Sequence, residues 1–359
     1  MKGTWWKLLG IALMFYVLFA GMLVPLKSGV QAVSPQAVPA GQAATLAIGG
    51  YNTHFDPAAP PRVWLKLNAD DLADGRALAL PADQVGVTDP QSITASFVLP
   101  EGLPADARDA YASVIVDSPA DGTFVMPGSV AITGGATQND AYAEAWTTRL
   151  DDFTPATGFT FPYRALLGES IRNQYFHVSL WFALMLLMLG AAVEAGLFLK
   201  NGRVEHDLKS EALTRAGLLF GLLGLATGMI WANYTWGAPW SGDVKQNMTA
   251  IALLIYLAYF VLRASVQSEQ QAQRVGAAYN LFAFAMLIPL LYVIPRMRES
   301  LHPGAGGNPG FGGEDLDSTM RAVFYPGIIG FTLVGLWLAQ LWWRVRRLAH
   351  RAELAAADY

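Results

Sequence analysis

The sequence predicts a polytopic α-helical membrane protein with six transmembrane helices, plus an inserted all-β, sandwich-like external domain. Three observations predict it. Of 359 residues, 53% are hydrophobic and 14% charged, with a mean hydropathy of +0.32, an apolar excess and charge deficit that a soluble domain does not show. Six segments reach the ~20 apolar residues needed to cross a ~30 Å hydrocarbon core: roughly 5–26, 178–199, 212–232, 248–266, 276–295 and 320–343. Between the first two, residues 27 to about 165 are polar and rich in Pro, Gly, Asp and Thr.

Residues 1–26 open MKGTWWKLLGIALMFYVLFAGMLVPL, basic residues followed by a long apolar run. The length of the run and the lack of an A-x-A site favour a retained anchor over a cleaved signal peptide. Residues 27–165 form the external domain. From Lys27 to Arg172 there are 13 Asp and 3 Glu against 8 Lys and Arg, a net charge of −8. Runs enriched in β-branched and aromatic residues recur there with turn residues between them: AATLAIGGY, RVWLKLNA, RALALPA, SITASFVL, AYASVIVD, TFVMPGSVAIT and AWTTRLDDF. Such spacing predicts an antiparallel sandwich. His54 is its one histidine, and with Asp56 it falls short of a coordination sphere, so an ordinary hydrogen-bonded loop histidine is expected.

Residues 166–345 supply five further helices and 346–359 a tail. Lys2, Lys7, Lys200, Arg203, Lys209, Arg215, Arg263, Arg274, Arg344, Arg346, Arg347 and Arg351 all fall on one side when the spans alternate. The positive-inside bias therefore predicts both termini inside and the acidic domain outside. With no cysteine, disulfides, CxxC pairs and thiolate metal sites are excluded. Without a GxxxxGK[ST] motif, ATP hydrolysis would have to come from another chain. No nucleic-acid partner is expected, and the bilayer itself is a partner.

One stretch, TWGAPWSGD at 235–243, places Trp236, Gly237, Trp240, Gly242 and Asp243 in a loop where a short polar turn would suffice. Of the other histidines, His206 and His350 lie in basic inner segments, while His177 and His302 lie at outer ends of spans. Singly each is an interfacial or loop histidine. Together, two neutral imidazoles from different elements can supply both axial ligands of a heme iron, and Trp236 and Trp240 offer flat apolar faces with polar N–H tips. Lys245, Arg296, Arg298 and Arg321 are the outer cations near these elements, suited to propionates or to interfacial anchoring. Asp243 precedes a helix and is a candidate N-cap, a Lys245 partner or an orienter of an indole N–H. The glycines suit close backbone approach.

An outer histidine opening a span in RNQYFHVSLWFA, a W-G-x-x-W-x-W-D pattern matched by Trp236, Gly237, Trp240 and Asp243, and NLFAFAMLIPLLYVIPRMRESLHPG leading to a second outer histidine together resemble the CcmC-type (CcmC/CcsA) heme-handling proteins of cytochrome c assembly. Gly242 stands where that pattern has its third tryptophan. The resemblance covers residues about 165 to 345 well and the first span weakly. It implies His177 and His302 as axial ligands of a transient, non-covalent heme b, the tryptophan loop as the heme edge contact, and a bacterial inner-membrane location with a periplasmic domain. It also implies partners: a periplasmic heme chaperone or apocytochrome c, and ABC transporter subunits. The 27–165 insertion and the GAGGNPGFGGEDLDS loop are longer than the pattern has, which implies an altered partner contact and an adaptable sixth ligand.

The expected function is to hold heme at the outer face and deliver it to a partner; it is not an enzyme and no catalytic residue is assigned. Two alternatives stand beside it. A membrane b-type heme redox subunit would place histidines in mid-span, where this chain has none; Glu194 is the intramembrane ionisable group the sequence suggests. A structural or assembly protein would use the sandwich to bind a partner.

Overall fold

The computed structural model describes residues 3–72, 76–134, 139–156, 158–165, 167–302 and 316–357. The chain divides into two compact units, Met1–Val24 with Glu169–Tyr359, and Pro25–Gly168.

In the second unit, the strands are β1 Gly29–Ser34, β2 Ala37–Pro39, β3 Ala43–Tyr51, β4 Arg62–Leu67, β5 Arg76–Pro81, β6 Gln84–Asp89, β7 Ser92–Val98, β8 Tyr111–Ser118, β9 Gly122–Thr133 and β10 Thr147–Arg149, with a helical turn, α2, at Ala143–Trp146. They form sheets ordered β1-β3-β7-β6 and β10-β5-β4-β8-β9-β2. All pairings are antiparallel except β2 with β9, which run parallel from Ala37↔Ala131 to Pro39↔Thr133. Alternation decides the facing: Leu46 and Ile48 of β3 and Ile93, Ala95 and Phe97 of β7 are buried, and they join Val114 and Val116 of β8 in one core. The sandwich predicted from the sequence is therefore present, with two differences. The segment AWTTRLDDF is a strand only at Thr147–Arg149, because Trp146 ends a helical turn, fully buried, with Nε1–H donating to the Gly102 carbonyl at 3.1 Å. Strands β1, β2 and β6 lie outside the segments predicted: β1 is bulged between Val30 and Ala32, β2 has three residues, and β6 is a sheet edge whose alternating Val85 and Val87 are only partly buried.

The other unit contains α1 Trp5–Leu23, α3 Asn173–Asn201, α4 Val204–Trp236, α5 Val244–Ser265, α6 Glu269–Ile288 and α7 Ser318–Ala357. Among the described residues six helices are long and apolar enough to cross a membrane. Several run past the hydropathic segments, since backbone hydrogen bonding continues where side chains turn polar. α4 begins at Val204 rather than near 212, and α7 runs on to Ala357 through the segment expected as a tail. α6 loosens into a π-type turn at Pro289–Val293 and a 3₁₀ turn at Ile294–Arg296, where Pro289 and Pro295 lack the N–H for a regular helical bond.

The early start of α4 gives Glu194, the ionisable group singled out from the sequence, a partner. Glu194 is paired with His206 at 2.6 Å, each side chain about a fifth exposed. Among the described residues of this unit, the most deeply buried charged side chains are Asp207 and Glu211 of α4. Arg263 of α5 reaches the Asp207 oxygens at 2.5 and 2.8 Å, and Glu211 takes Arg215 at 2.6 Å and Arg346 of α7 at 3.4 Å. Beside them Asn280 of α6 donates to Ser210 and Thr214 at 3.1 and 2.8 Å. Buried polar groups in a helical bundle need such partners, and here they tie α4 to α5, α6 and α7.

α3 and α4 pack along a ladder of small residues. A Cβ added at Gly217, Gly221, Gly224 or Gly228 of α4 would meet Met188, Leu184, Trp181 or His177 of α3 at 2.9, 2.6, 2.9 and 2.7 Å respectively. Both series step by four, three and four residues, one face of a helix, so the two helices run antiparallel in register with glycine opposite each large side chain.

Candidate functional site

The last rung of that ladder builds the site. His177, one turn into α3, lies against Gly228, and its Nδ1 is 2.9 Å from the Gly224 carbonyl and 3.1 Å from Thr227 Oγ1. A carbonyl only accepts, so the proton sits on Nδ1 and the neutral ring carries its lone pair on Nε2. Thr227 supports this by hydrogen bonding to the Leu223 carbonyl at 3.0 Å.

His302 arrives from the segment after α6. Its ring centroid is 6.3 Å from that of His177, with 37° between the planes. Trp231 and Trp236, 5.2 Å apart and edge to face, lie 6.1 and 6.4 Å from His302, and Trp181 lies 6.2 Å from His177. These rings line a cavity of 150 Å³ together with Lys245. Asp243 fixes the approach of two segments at once. Its Oδ1 accepts the Lys245 N–H at 2.8 Å as the N-cap of α5, and its Oδ2 accepts the Leu301 N–H at 2.9 Å, beside His302. Lys245 Nζ is 3.3 Å from His302 Nδ1.

The structure thus brings His177, His302, Trp236, Asp243 and Lys245 together. Trp240 is 39% exposed and does not line the cavity; Trp231, one turn before Trp236, takes the place expected for it. Gly237 and Gly242 serve a different purpose from close approach. Both have positive φ, +77° and +75°, with open space where a Cβ would stand, so they turn the chain. The glycines that allow close approach are Gly224 and Gly228, legible in the sequence as G-x₃-G-x₂-G-x₃-G over 217–228. Among the cations, Arg296 and Arg298 are exposed beyond the end of α6 and Arg321 sits in the first turn of α7; none of the three lines the cavity. Within the loop GAGGNPGFGGEDLDS, residues 304–315 lie outside the described residues.

The remaining histidines are engaged elsewhere. In the β unit His54 is 72% exposed, with Nδ1 and backbone N–H both on the Asp121 carboxylate at 2.8 Å, the hydrogen-bonded loop histidine expected. His350 pairs with Glu269 at 3.5 Å.

Six helices of membrane-spanning length and apolarity with a β sandwich define a multi-pass helical membrane protein, and its helical unit carries a cavity lined by two imidazoles and by indoles. The heme exporter protein C (CcmC) family matches residues 151–357, and the chain belongs to that family, the one the WGxxWxxD pattern resembles. It is similar to heme exporter protein C of Paracoccus denitrificans, with 27% identity over 199 residues, 55% of this chain and 81% of that protein. The homonymous protein of Rhodobacter capsulatus is 25% identical over 152 residues, 41% of this chain and 62% of that one. Cytochrome c biogenesis protein CcsA of Thermosynechococcus vestitus is 49% identical over 80 residues, 22% of this chain and 24% of its own length.

Proposed function

We propose that this protein holds heme b non-covalently between His177 and His302 and delivers it to a partner during cytochrome c maturation. The spacing of the two imidazoles carries the proposal. Iron between two axial imidazoles puts their centroids about 6 Å apart, given roughly 2 Å per metal–nitrogen bond and roughly 1 Å from nitrogen to ring centre. The rings stand 6.3 Å apart before any ligand is considered. His177 already presents the correct tautomer, held by the Gly224 carbonyl, the outer hydrogen bond that an iron-ligating imidazole needs.

The cavity, at 150 Å³, is below the ~300–1,000 Å³ of pockets that engulf a ligand. A porphyrin placed there would meet Trp231 and Trp236 in the cavity and keep much of its edge outside. That suits a cargo more than a resident cofactor. Similarity to proteins named for heme export and cytochrome c biogenesis supports the same function.

In this scheme residues 1–26 anchor the chain and 27–165 form a periplasmic domain that contacts the heme acceptor. Residues 166–345 form the heme-handling bundle, with both termini cytoplasmic in a bacterial inner membrane. The acceptor is a periplasmic heme chaperone or apocytochrome c, and ABC transporter subunits supply ATP hydrolysis. Arg296, Arg298 and Arg321 are the proposed propionate contacts at the rim. Protein purified from heme-replete cells should show a b-type Soret band that is lost in His177→Ala/His302→Ala; colourless wild-type protein that takes up no added hemin refutes the proposal.

A further inference from the structure

The two imidazoles are not equivalent. His177 donates from Nδ1 to a carbonyl, which leaves Nε2 with a lone pair. His302 faces an ammonium, Lys245 Nζ at 3.3 Å from Nδ1. An ammonium only donates, so Nδ1 of His302 must accept, and the proton of the neutral ring sits on Nε2. Neither nitrogen of His302 can then bind a metal while the contact lasts: the Nδ1 lone pair is engaged and Nε2 carries hydrogen.

Lys245 is also fixed by its backbone. It is the first-turn residue whose N–H is capped by Asp243, and the other oxygen of Asp243 holds Leu301, the neighbour of His302. One carboxylate therefore keeps the lysine and the histidine segment together, and the ammonium cannot drift from the ring without giving up its 3.3 Å contact with Nδ1.

We propose that Lys245 competes with iron for His302 and so makes this the labile ligand of the pair, with His177 the standing one. The inference rests on the heme-holding function proposed above. On arrival, iron binds His177 Nε2 directly. Binding at His302 requires Lys245 to withdraw and the ring proton to pass from Nε2 to Nδ1, which frees the Nε2 lone pair with no net change in charge. The reverse, with Lys245 returning to Nδ1, opens the iron–His302 bond and leaves the cargo on one ligand, ready for transfer.

The test uses the full chain in detergent or nanodiscs, titrated with hemin, for wild type, Lys245→Met, Lys245→Arg and each lysine change combined with His302→Ala. The optical and EPR spectra give the low-spin, six-coordinate fraction, and transfer to apomyoglobin gives the release rate. Lys245→Met, unbranched, one atom shorter and without a donor, should raise the low-spin fraction and slow release by about tenfold or more, the usual scale for a partner of a metal ligand. Lys245→Arg, which keeps a charged donor, should stay near wild type, and in the His302→Ala background Lys245→Met should change nothing. Faster release from Lys245→Met marks the lysine as an anchor for the heme carboxylates and overturns the inference, as does an unchanged spectrum and rate. A wild type that takes up no hemin overturns the heme-holding function itself, and the inference with it.

Discussion

Gly228→Ala isolates the positioning of His177 from the stability of the fold. The added Cβ would stand 2.7 Å from His177 Cε1, whereas carbon atoms at rest approach to about 3.5 Å. The imidazole must therefore move by roughly 0.8 Å, more than the ~0.5 Å tolerance of a functional constellation. That shift strains the 2.9 Å bond from Nδ1 to the Gly224 carbonyl, the contact that sets the tautomer. Hemin affinity should fall by about 10- to 100-fold, as when a metal ligand loses its orienting partner. Stability should hold, because alanine in a helix interior is favoured over glycine by up to ~1 kcal/mol and the displaced ring borders a cavity. Gly221→Ala is the contrast: its Cβ would meet Leu253 at 2.5 Å and Leu184 at 2.6 Å in the packed core, costing about 1–3 kcal/mol of stability while the folded fraction keeps its hemin affinity. Hemin titration and thermal unfolding of the same preparations separate the two. Wild-type affinity and spectrum in Gly228→Ala would show that the His177 position is not what binds hemin.

Breaking the buried pair by Asp207→Leu leaves the Arg263 guanidinium without its principal acceptor and should cost about 3–5 kcal/mol, read as a lowered unfolding midpoint in detergent. Replacing Arg263 by Leu as well should recover part of that loss, and a double variant worse than either single one contradicts the pairing. In the β unit, burial pushes the Asp117 carboxyl up, but hydrogen bonds from Thr123, Arg62 and the Thr154 N–H outweigh it and hold it below its ordinary value. A depressed folded value contributes stability that is full above the unfolded carboxylate value of about 3.9 and is lost as pH falls through the folded one. The protection of the β4 and β8 amides against hydrogen exchange, relative to the intrinsic rate at each pH, should therefore fall on acidification below about pH 4. Asp117→Asn should speed exchange already at pH 7, by loss of charge-assisted bonds worth about 1.5–3 kcal/mol, and flatten the acid dependence. An unchanged acid profile in that variant rules the Asp117 contribution out.

Much of this was legible in the sequence, and the misses have identifiable causes. The spans were visible because crossing a bilayer demands a long apolar run, but their ends were not, since helices continue through charged turns such as 204–211. Strands β3, β4, β5, β7, β8 and β9 are legible as apolar runs between turn residues; β1, β2 and β6 are not, because they lie at sheet edges. His177, His302 and Trp236 were identified by residue type and loop position. The motif places Trp236 and Trp240 together and allows Trp231 or Tyr234 to help them, but a linear pattern does not say which indole a helical turn directs inward; the structure puts Trp231 beside Trp236 and leaves Trp240 outside the cavity. The glycine spacing over 217–228 is visible in the sequence, but its meaning depends on the large side chains of α3 that it faces.

The sequence alone determined that the chain spans a membrane six times and carries a β insertion, and it named the two histidines and the tryptophan loop. Hydropathy, periodicity and turn chemistry are local properties and survive without a fold. Only the tertiary structure decided that the imidazoles stand 6.3 Å apart, that one ring donates to a carbonyl while the other faces an ammonium, and that Asp207 and Glu211 lie buried against Arg263. Those are relations between helices distant in sequence, set by packing, and a ligand's hold or release depends on such distances and hydrogen-bond partners rather than on residue type.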